Sequence, residues 1–201
     1  MKSNKVDRYI QELQGFLIEQ LTSNRSDLMS WWRQIGNGNK CNGYIYQIYH
    51  NEWRENLEKS SKGECYRSFK DKMKLEPYLD KLSRAKRVTL TKMRISDHKL
   101  MIEEGRRTTP QTPREQRTCK ICSQQIESEY HFLMECTLYG SRQSFFNEVS
   151  ISVPQFQTLN SRQKFLFLMT QEDEQITDQL ATLIQKWLSL RNLILTYFFQ
   201  P

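Results

Sequence analysis

Four side chains constrain this chain more than anything else in it. Cys119, Cys122, His131 and Cys136 stand in the pattern C-x2-C-x8-H-x4-C, and they take three of the five cysteines and one of the three histidines. Soft thiolate and imidazole donors at such short intervals suit one tetrahedral ion: a C-x2-C pair folds into a tight knuckle, and a His and Cys four residues apart meet over about one and a half helical turns. The expectation is one structural Zn2+ held by these four residues. A thioredoxin-type redox pair fits less well, because no βαβ pattern surrounds the cysteines. A catalytic zinc also fits less well, because four protein ligands leave no position for water.

The arm between the ligand pairs is polar (Ser123, Gln124, Gln125, Glu127, Ser128, Glu129) and reads as an exposed loop. Glu127 and Glu129 are candidate outer partners of His131, since a ligating histidine usually shares its second nitrogen with a carboxylate; the plain alternative is that both are solvated. Ile126, Tyr130, Phe132, Leu133 and Met134 supply the apolar surface that would seat the finger on its neighbours.

Charge is concentrated just upstream. Residues 81–120 hold 12 basic and 4 acidic side chains, against 13 and 11 in residues 1–80 and 5 and 8 in residues 121–201, so this stretch carries the whole excess behind the net +7. A focused positive segment suggests an anionic partner. The candidate nucleic-acid contacts, together with Lys81, are Arg84, Lys86, Arg87, Lys92, Arg94, Arg106, Arg107, Arg114, Arg117 and Lys120. The plain reading of the same residues is a solvated helix face.

The remaining periodicities are helical, and the expected class is mainly α: a helical domain with an embedded CCHC element. Three regions are expected, with residues 1–83 helical, 84–150 containing the basic segment and zinc element, and 151–201 a helical region packing on the rest. In the first region, helices are expected over 4–22 and from Ser26 toward Gly36. A loop is expected at Asn37-Gly38 and Asn42-Gly43, then a helix carrying Tyr44, Tyr46, Tyr49 and Trp53 to about Lys59, a stripe that reads as core before base stacking. Short helices follow near 64–71 and 75–83, then a basic helix over 84–95 with Val88, Leu90, Met93 and Ile95 on its apolar side. A loop spans 105–114, a helix contains Phe145 and Val149, and Ser161 caps another. The final helix has Ile176, Leu180, Leu183, Trp187, Leu190, Ile194 and Tyr197 at alternating steps of 4 and 3, a heptad-type seam. That seam serves either the internal core or self-association through residues 174–198.

Catalytic sets are absent from the sequence: no phosphate-cradling glycine loop, no G-x-S-x-G and no H-E-x-x-H. Asp97-His98 reads as a satisfied surface histidine rather than an acid–base pair. A non-enzyme is therefore expected. The first twenty residues carry charges throughout and no signal-peptide core, and no run of about 18 uncharged apolar residues occurs, so an intracellular protein, nuclear or cytoplasmic, without membrane association is expected.

The run Leu90-Thr91-Lys92-Met93-Arg94-Ile95-Ser96-Asp97-His98-Lys99-Leu100-Met101-Ile102-Glu103-Glu104-Gly105-Arg106, then Arg114-Glu115, Arg117 and Cys119, then Glu129-Tyr130-His131-Phe132-Leu133-Met134-Glu135-Cys136, resembles the zinc-binding segment near the C-terminus of non-LTR retrotransposon reverse transcriptases. The resemblance covers roughly residues 84–150. It implies that Cys119, Cys122, His131 and Cys136 are ligands, and that the module handles the RNA or DNA of reverse transcription. The polymerase domain with its metal-binding aspartates is missing, so polymerase activity is not implied. The competing expectation is a zinc-stabilised protein–protein interaction module with no nucleic-acid role.

Overall fold

The computed structural model describes residues 39–60, 63–70 and 75–198. The helices expected over 4–22 and 26–36 lie outside the described residues. The chain divides into two compact units, residues 1–53 and 54–201. Helix α1 (Asn39–Lys59) begins in the first. It runs straight through Asn42-Gly43, where a loop was expected, because an internal glycine costs a helix only about 1 kcal/mol and a helix of 21 residues absorbs that. The side chains of Tyr44, Tyr46 and Tyr49 are outside the described set; Trp53 is half-buried beside His50, with ring centroids 5.7 Å apart.

The second unit is helical. It contains α2 (Glu64–Arg67), α3 (Tyr78–Lys81), α4 (Arg84–Arg94), α5 (Met101–Arg107), a 3-10 turn at Arg114–Gln116, a π-helical turn at His131–Glu135, α6 (Arg142–Ser152), a second 3-10 turn at Pro154–Thr158, α7 (Ser161–Thr170) and α8 (Glu174–Phe198). Residues Gly105 to Arg107, expected in a loop, are the last turn of α5. The protein is thus mainly α with an embedded Cys/His cluster. Among the described residues no helix is long and apolar enough to cross a membrane.

Helix α8 is the scaffold. Its first turn is capped by Asp173, whose carboxylate accepts the Ile176 N–H at 2.9 Å, and Glu174 adds negative charge where the helix dipole is positive. Ile176, Leu180, Ala181, Ile184 and Trp187 bury its inner face, so the first half of the expected seam is spent on the internal core. The second half is not: Leu190 and Ile194 are only partly covered, while Leu193 and Tyr197 are exposed by 54% and 76%. Helix α4 lies along α8. Leu90 and Met93 are buried between them, but Val88 and Ile95 face solvent, so the apolar side of α4 is narrower than its composition suggests.

The cap of α7 is Asn160, not Ser161. The Asn160 side chain accepts the Gln163 N–H at 2.9 Å while the Gln163 side chain accepts the Asn160 N–H at 3.0 Å, a complete capping box. Ser161 is one position too late to reach a free amide of that turn. From α7, Phe165, Leu168 and Met169 join Leu90, Met93, Leu100, Phe132 and Trp187 in a single core that spans residues from both the 84–150 and 151–201 regions.

Candidate metal centre

Two backbone devices build the site. The first is a short hairpin. Thr118 and Ile126 pair as an antiparallel bridge, Glu127 N–H donates to Arg117 O at 2.9 Å, and Cys119 N–H donates to Gln125 O at 2.8 Å. At its tip Ser123 takes the left-handed conformation (φ 54°) and donates its N–H to Cys119 O at 2.8 Å, which folds Cys119 and Cys122 into a knuckle with both sulfurs on one side. The second device is the π-helical turn: Cys136 N–H donates to His131 O at 2.9 Å, a five-residue closure. The x4 interval is therefore one wide turn rather than one and a half ordinary ones, a geometry found often at functional sites.

These devices bring the four donors within 4.8 Å of one another. Cys119 Sγ lies 3.9 Å from Cys136 Sγ, and Cys122 Sγ lies 3.2 Å from His131 Nε2. Bond lengths of about 2.3 Å to sulfur and 2.0 Å to nitrogen give tetrahedral edges of roughly 3.5–3.8 Å, which these separations bracket. The cluster could hold a metal ion, with Nε2 as the inward nitrogen of His131. Cys119, His131 and Cys136 are buried and Cys122 is half-buried.

Protons compete for the same atoms. The hydrogen bond from Cys119 to Cys136, with burial, pushes the Cys119 thiol up to about 12, and the same bond lowers Cys136. Burial opposes a charged His131, but hydrogen bonds and charge from Cys119 and Cys122 outweigh it and raise the imidazole to about 9. An incoming cation must displace these protons.

The surroundings of the tetrad were not all legible in the sequence. Glu135, not Glu127 or Glu129, faces the outer nitrogen of His131, its carboxylate 3.5 Å from Nδ1; the i,i+4 relation sets it there. Neither Glu127 nor Glu129 is solvated. Glu127 is buried in a two-point pair with Arg191 of α8 (2.6 and 2.7 Å), accepts the Met101 N–H at 2.7 Å, and lies 3.8 Å from Cys119 Sγ. Glu129 is buried against His98 Nε2 at 2.9 Å and accepts from the Ser96 hydroxyl. Burial opposes the Glu129 charge, yet its bonds to His98 and Ser96 prevail and hold its carboxyl below the usual range. His98, expected at the surface, is a buried structural residue whose Nδ1 accepts the Leu100 N–H at 3.3 Å. Arg142, another residue the spacing did not reveal, donates to Leu133 O at 2.7 Å and Cys136 O at 2.8 Å, satisfying carbonyls of the π-helical turn. The aromatic rings then clamp the turn to α8: Tyr139 stacks on Trp187 at 4.7 Å, and Phe132 meets both edge-on.

The expected nucleic-acid contacts are scattered by the fold. Arg94 is buried, paired with Glu76, laid over the Tyr78 ring at 4.5 Å, and bonded to Gln171 O at 3.2 Å. Arg117 is buried and donates to Thr112 O and Ile102 O at 2.9 and 3.0 Å. These two guanidinium groups are structural and face away from any surface partner. Lys86 pairs with Asp178 at 2.6 Å, Arg87 donates to Leu79 O at 3.1 Å, and Arg106 lies 3.0 Å from Glu103. Arg114 pairs with Glu64 at 2.8 Å, and Arg107 touches Asp97 and Glu104 at 3.4 Å each. Lys81 lies 3.9 Å from Glu174. Arg84, Lys92 and Lys120 are exposed.

Comparison with protein-family models, with curated proteins and with solved structures finds no match for this chain.

Proposed function

We propose that the tetrad holds one structural zinc ion and that the zinc-stabilised module binds nucleic acid, RNA or DNA, through its phosphates. The observation that carries the metal half is the convergence of three sulfurs and one imidazole nitrogen within 4.8 Å. Three thiolates with one imidazole favour a soft or borderline ion and fill its four positions, which points to zinc in a structural rather than catalytic role. Three thiolates around a divalent ion leave a net charge of about −1, with the Glu127–Arg191 pair beside them adding no further charge.

The nucleic-acid half is supported by the placement of charge in residues 81–120, by the exposure of Arg84, Lys92 and Lys120, and by the likeness to the retrotransposon zinc segment. Contacts of this kind are to phosphate, so little sequence preference is expected. One observation favours a second reading, a protein-interaction module. Most of the basic segment is neutralised internally, while Leu193 and Tyr197 on the last turns of α8 are left exposed for an apolar partner.

Two measurements on one preparation separate the readings. Elemental analysis is expected to give about one zinc ion per chain; a folded protein recovered without metal overturns the metal assignment. Labelled RNA and DNA are then titrated at low and moderate salt. Binding with a steep salt slope supports the nucleic-acid reading, whereas absence of binding at low salt removes it and leaves the protein partner.

A further inference from the structure

The clefts of the second unit differ in charge. One of about 140 Å³ beside the π-helical turn sets Arg106, Arg114 and Arg162 against Glu64, Glu103 and Glu129, and is balanced. Another, of about 500 Å³ along α6 and α8, sets Lys86 and Lys186 against Glu148 and Asp178, and is also balanced. A third, of about 290 Å³, is not. It is lined by Lys92 from the last turn of α4, Asp97 and Lys99 from the turn that follows, and Arg107 from the end of α5: three cations against one carboxylate.

The ion pairs within this third cleft are weak. Arg107 approaches Asp97 and Glu104 at 3.4 Å, with all three side chains exposed by 42–48%. Pairs so open to solvent contribute little, so a phosphate can take Arg107 over at small cost. Asp97 also holds its backbone N–H on Lys92 O at 2.8 Å, which fixes the turn that presents Lys99. Lysine and arginine in a final helical turn ordinarily offset the helix dipole, and that accounts for Lys92 and Arg107 taken singly. It does not account for Lys99, which lies outside both helices on the side where they converge. Met93 and the half-buried Leu188 add apolar surface to the lining, with Thr89, His98 and Asn192 beside them.

We infer that this cleft, between the end of α4, the 97–99 turn and α8, is the seat for one nucleotide of a single strand. The phosphate faces Lys92, Lys99 and Arg107, and the base lies against Leu188 near the Asn192 amide. The inference rests on the nucleic-acid reading above and narrows it to a place. The volume is at the lower end of small-ligand sites, enough for a single nucleotide and too small for a duplex. The ring that lines the cleft, the His98 imidazole, is buried and paired with Glu129, so stacking adds little and the strand is held mainly by charge.

The test uses the full zinc-loaded chain and a short labelled oligouridylate, read by fluorescence anisotropy between about 50 and 200 mM salt. The double variant Lys92→Gln/Lys99→Gln removes exposed charges only. It is expected to weaken binding about tenfold and to lower the salt slope by up to about 0.7, the share of the one single-strand phosphate this cleft holds. The control Lys59→Gln/Lys186→Gln, which removes the same charge elsewhere, is expected to change binding less than about twofold. Asn192→Met fills the mouth without removing charge or adding an aromatic ring, and is expected to weaken binding with the slope kept. Native-like binding and slope in the lysine double variant and in Asn192→Met overturn the cleft while leaving the nucleic-acid reading in place. No binding by the unaltered chain at the lowest salt overturns both.

Discussion

Arg117 and Gly105 show how one residue constrains another twelve positions away. The Arg117 side chain crosses α5 to reach Ile102 O, and a Cβ on Gly105 would stand 2.6–2.9 Å from its Cγ, Cδ and Nε. Those atoms cannot swing aside, because the guanidinium is tied at both ends by carbonyls. Gly105→Ala is therefore expected to destabilise the fold by about 1–3 kcal/mol through overpacking, despite the better helix propensity of alanine, and a lowered denaturant midpoint is the measurement. Glu127 and Arg191 form a second such couple. Arg191→Met leaves a buried carboxylate beside the Cys119 sulfur, and a loss of about 3–5 kcal/mol is expected. The double variant Glu127→Gln/Arg191→Met removes both charges and keeps an acceptor for Met101 N–H; it is expected to be more stable than Arg191→Met alone. Glu127 was legible as a neighbour of the ligands. Its partner was not, because 64 residues separate the two and no local pattern links an interface arginine to a distant carboxylate.

At the scale of elements, the hairpin and the π-helical turn are expected to depend on the proposed metal more than the helices do. Each is held by few backbone bonds, and the unloaded tetrad must share protons among buried sulfurs and an imidazole. Chelation is expected to remove hydrogen-exchange protection from residues 117–136 first, while amides around Leu180 and Ile184 of α8, buried against α4, keep theirs. A mutant such as Cys122→Ser should reproduce this pattern without chelator. The pH dependence has a definite sign. Metal needs deprotonated ligands, and His131 rises to about 9 without it, so affinity is expected to fall as pH is lowered, with proton release on loading. Competition with a chromophoric chelator across pH checks it. Helix existence was largely readable from periodicity; boundaries such as the start of α1 and the cap of α7 were not, since a long helix tolerates Gly43 and a capping box outbids a lone serine.

Taken whole, the second unit is tied together by buried charge as well as by its aromatic core. Glu76 links Lys70 at 2.8 Å to Arg94 of α4, which in turn reaches Gln171 at the entrance to α8. Burial works against its ionisation, but the Lys70 hydrogen bond and the Arg94 charge prevail and keep its carboxyl below its ordinary 4.5. A carboxyl lowered in the folded state adds stability that is present above its unfolded value and lost as pH falls through the folded one. Glu76→Gln should therefore destabilise at neutral pH and converge toward the unaltered protein in acid, which paired denaturation curves at pH 7 and in acid will show. The sequence by itself determined the class of the protein, the Cys/His tetrad that could hold a metal and the location of the charge, because each depends on spacing or composition within a short window. Only the tertiary structure decided which charges remain available. The cations of residues 81–120 are equivalent in sequence, yet Arg94 and Arg117 are spent inside, Lys86 and Arg114 are paired on the surface, and Lys92, Lys99 and Arg107 converge on one cleft. The partners of Lys86, Arg94 and Arg114 are carboxylates and a carbonyl brought in by folding from distant parts of the chain. The Cys119–Cys136 motif shows the same division: its spacing named the four donors that converge, while Glu135, Arg142 and the Glu127–Arg191 couple around them were assigned by packing alone.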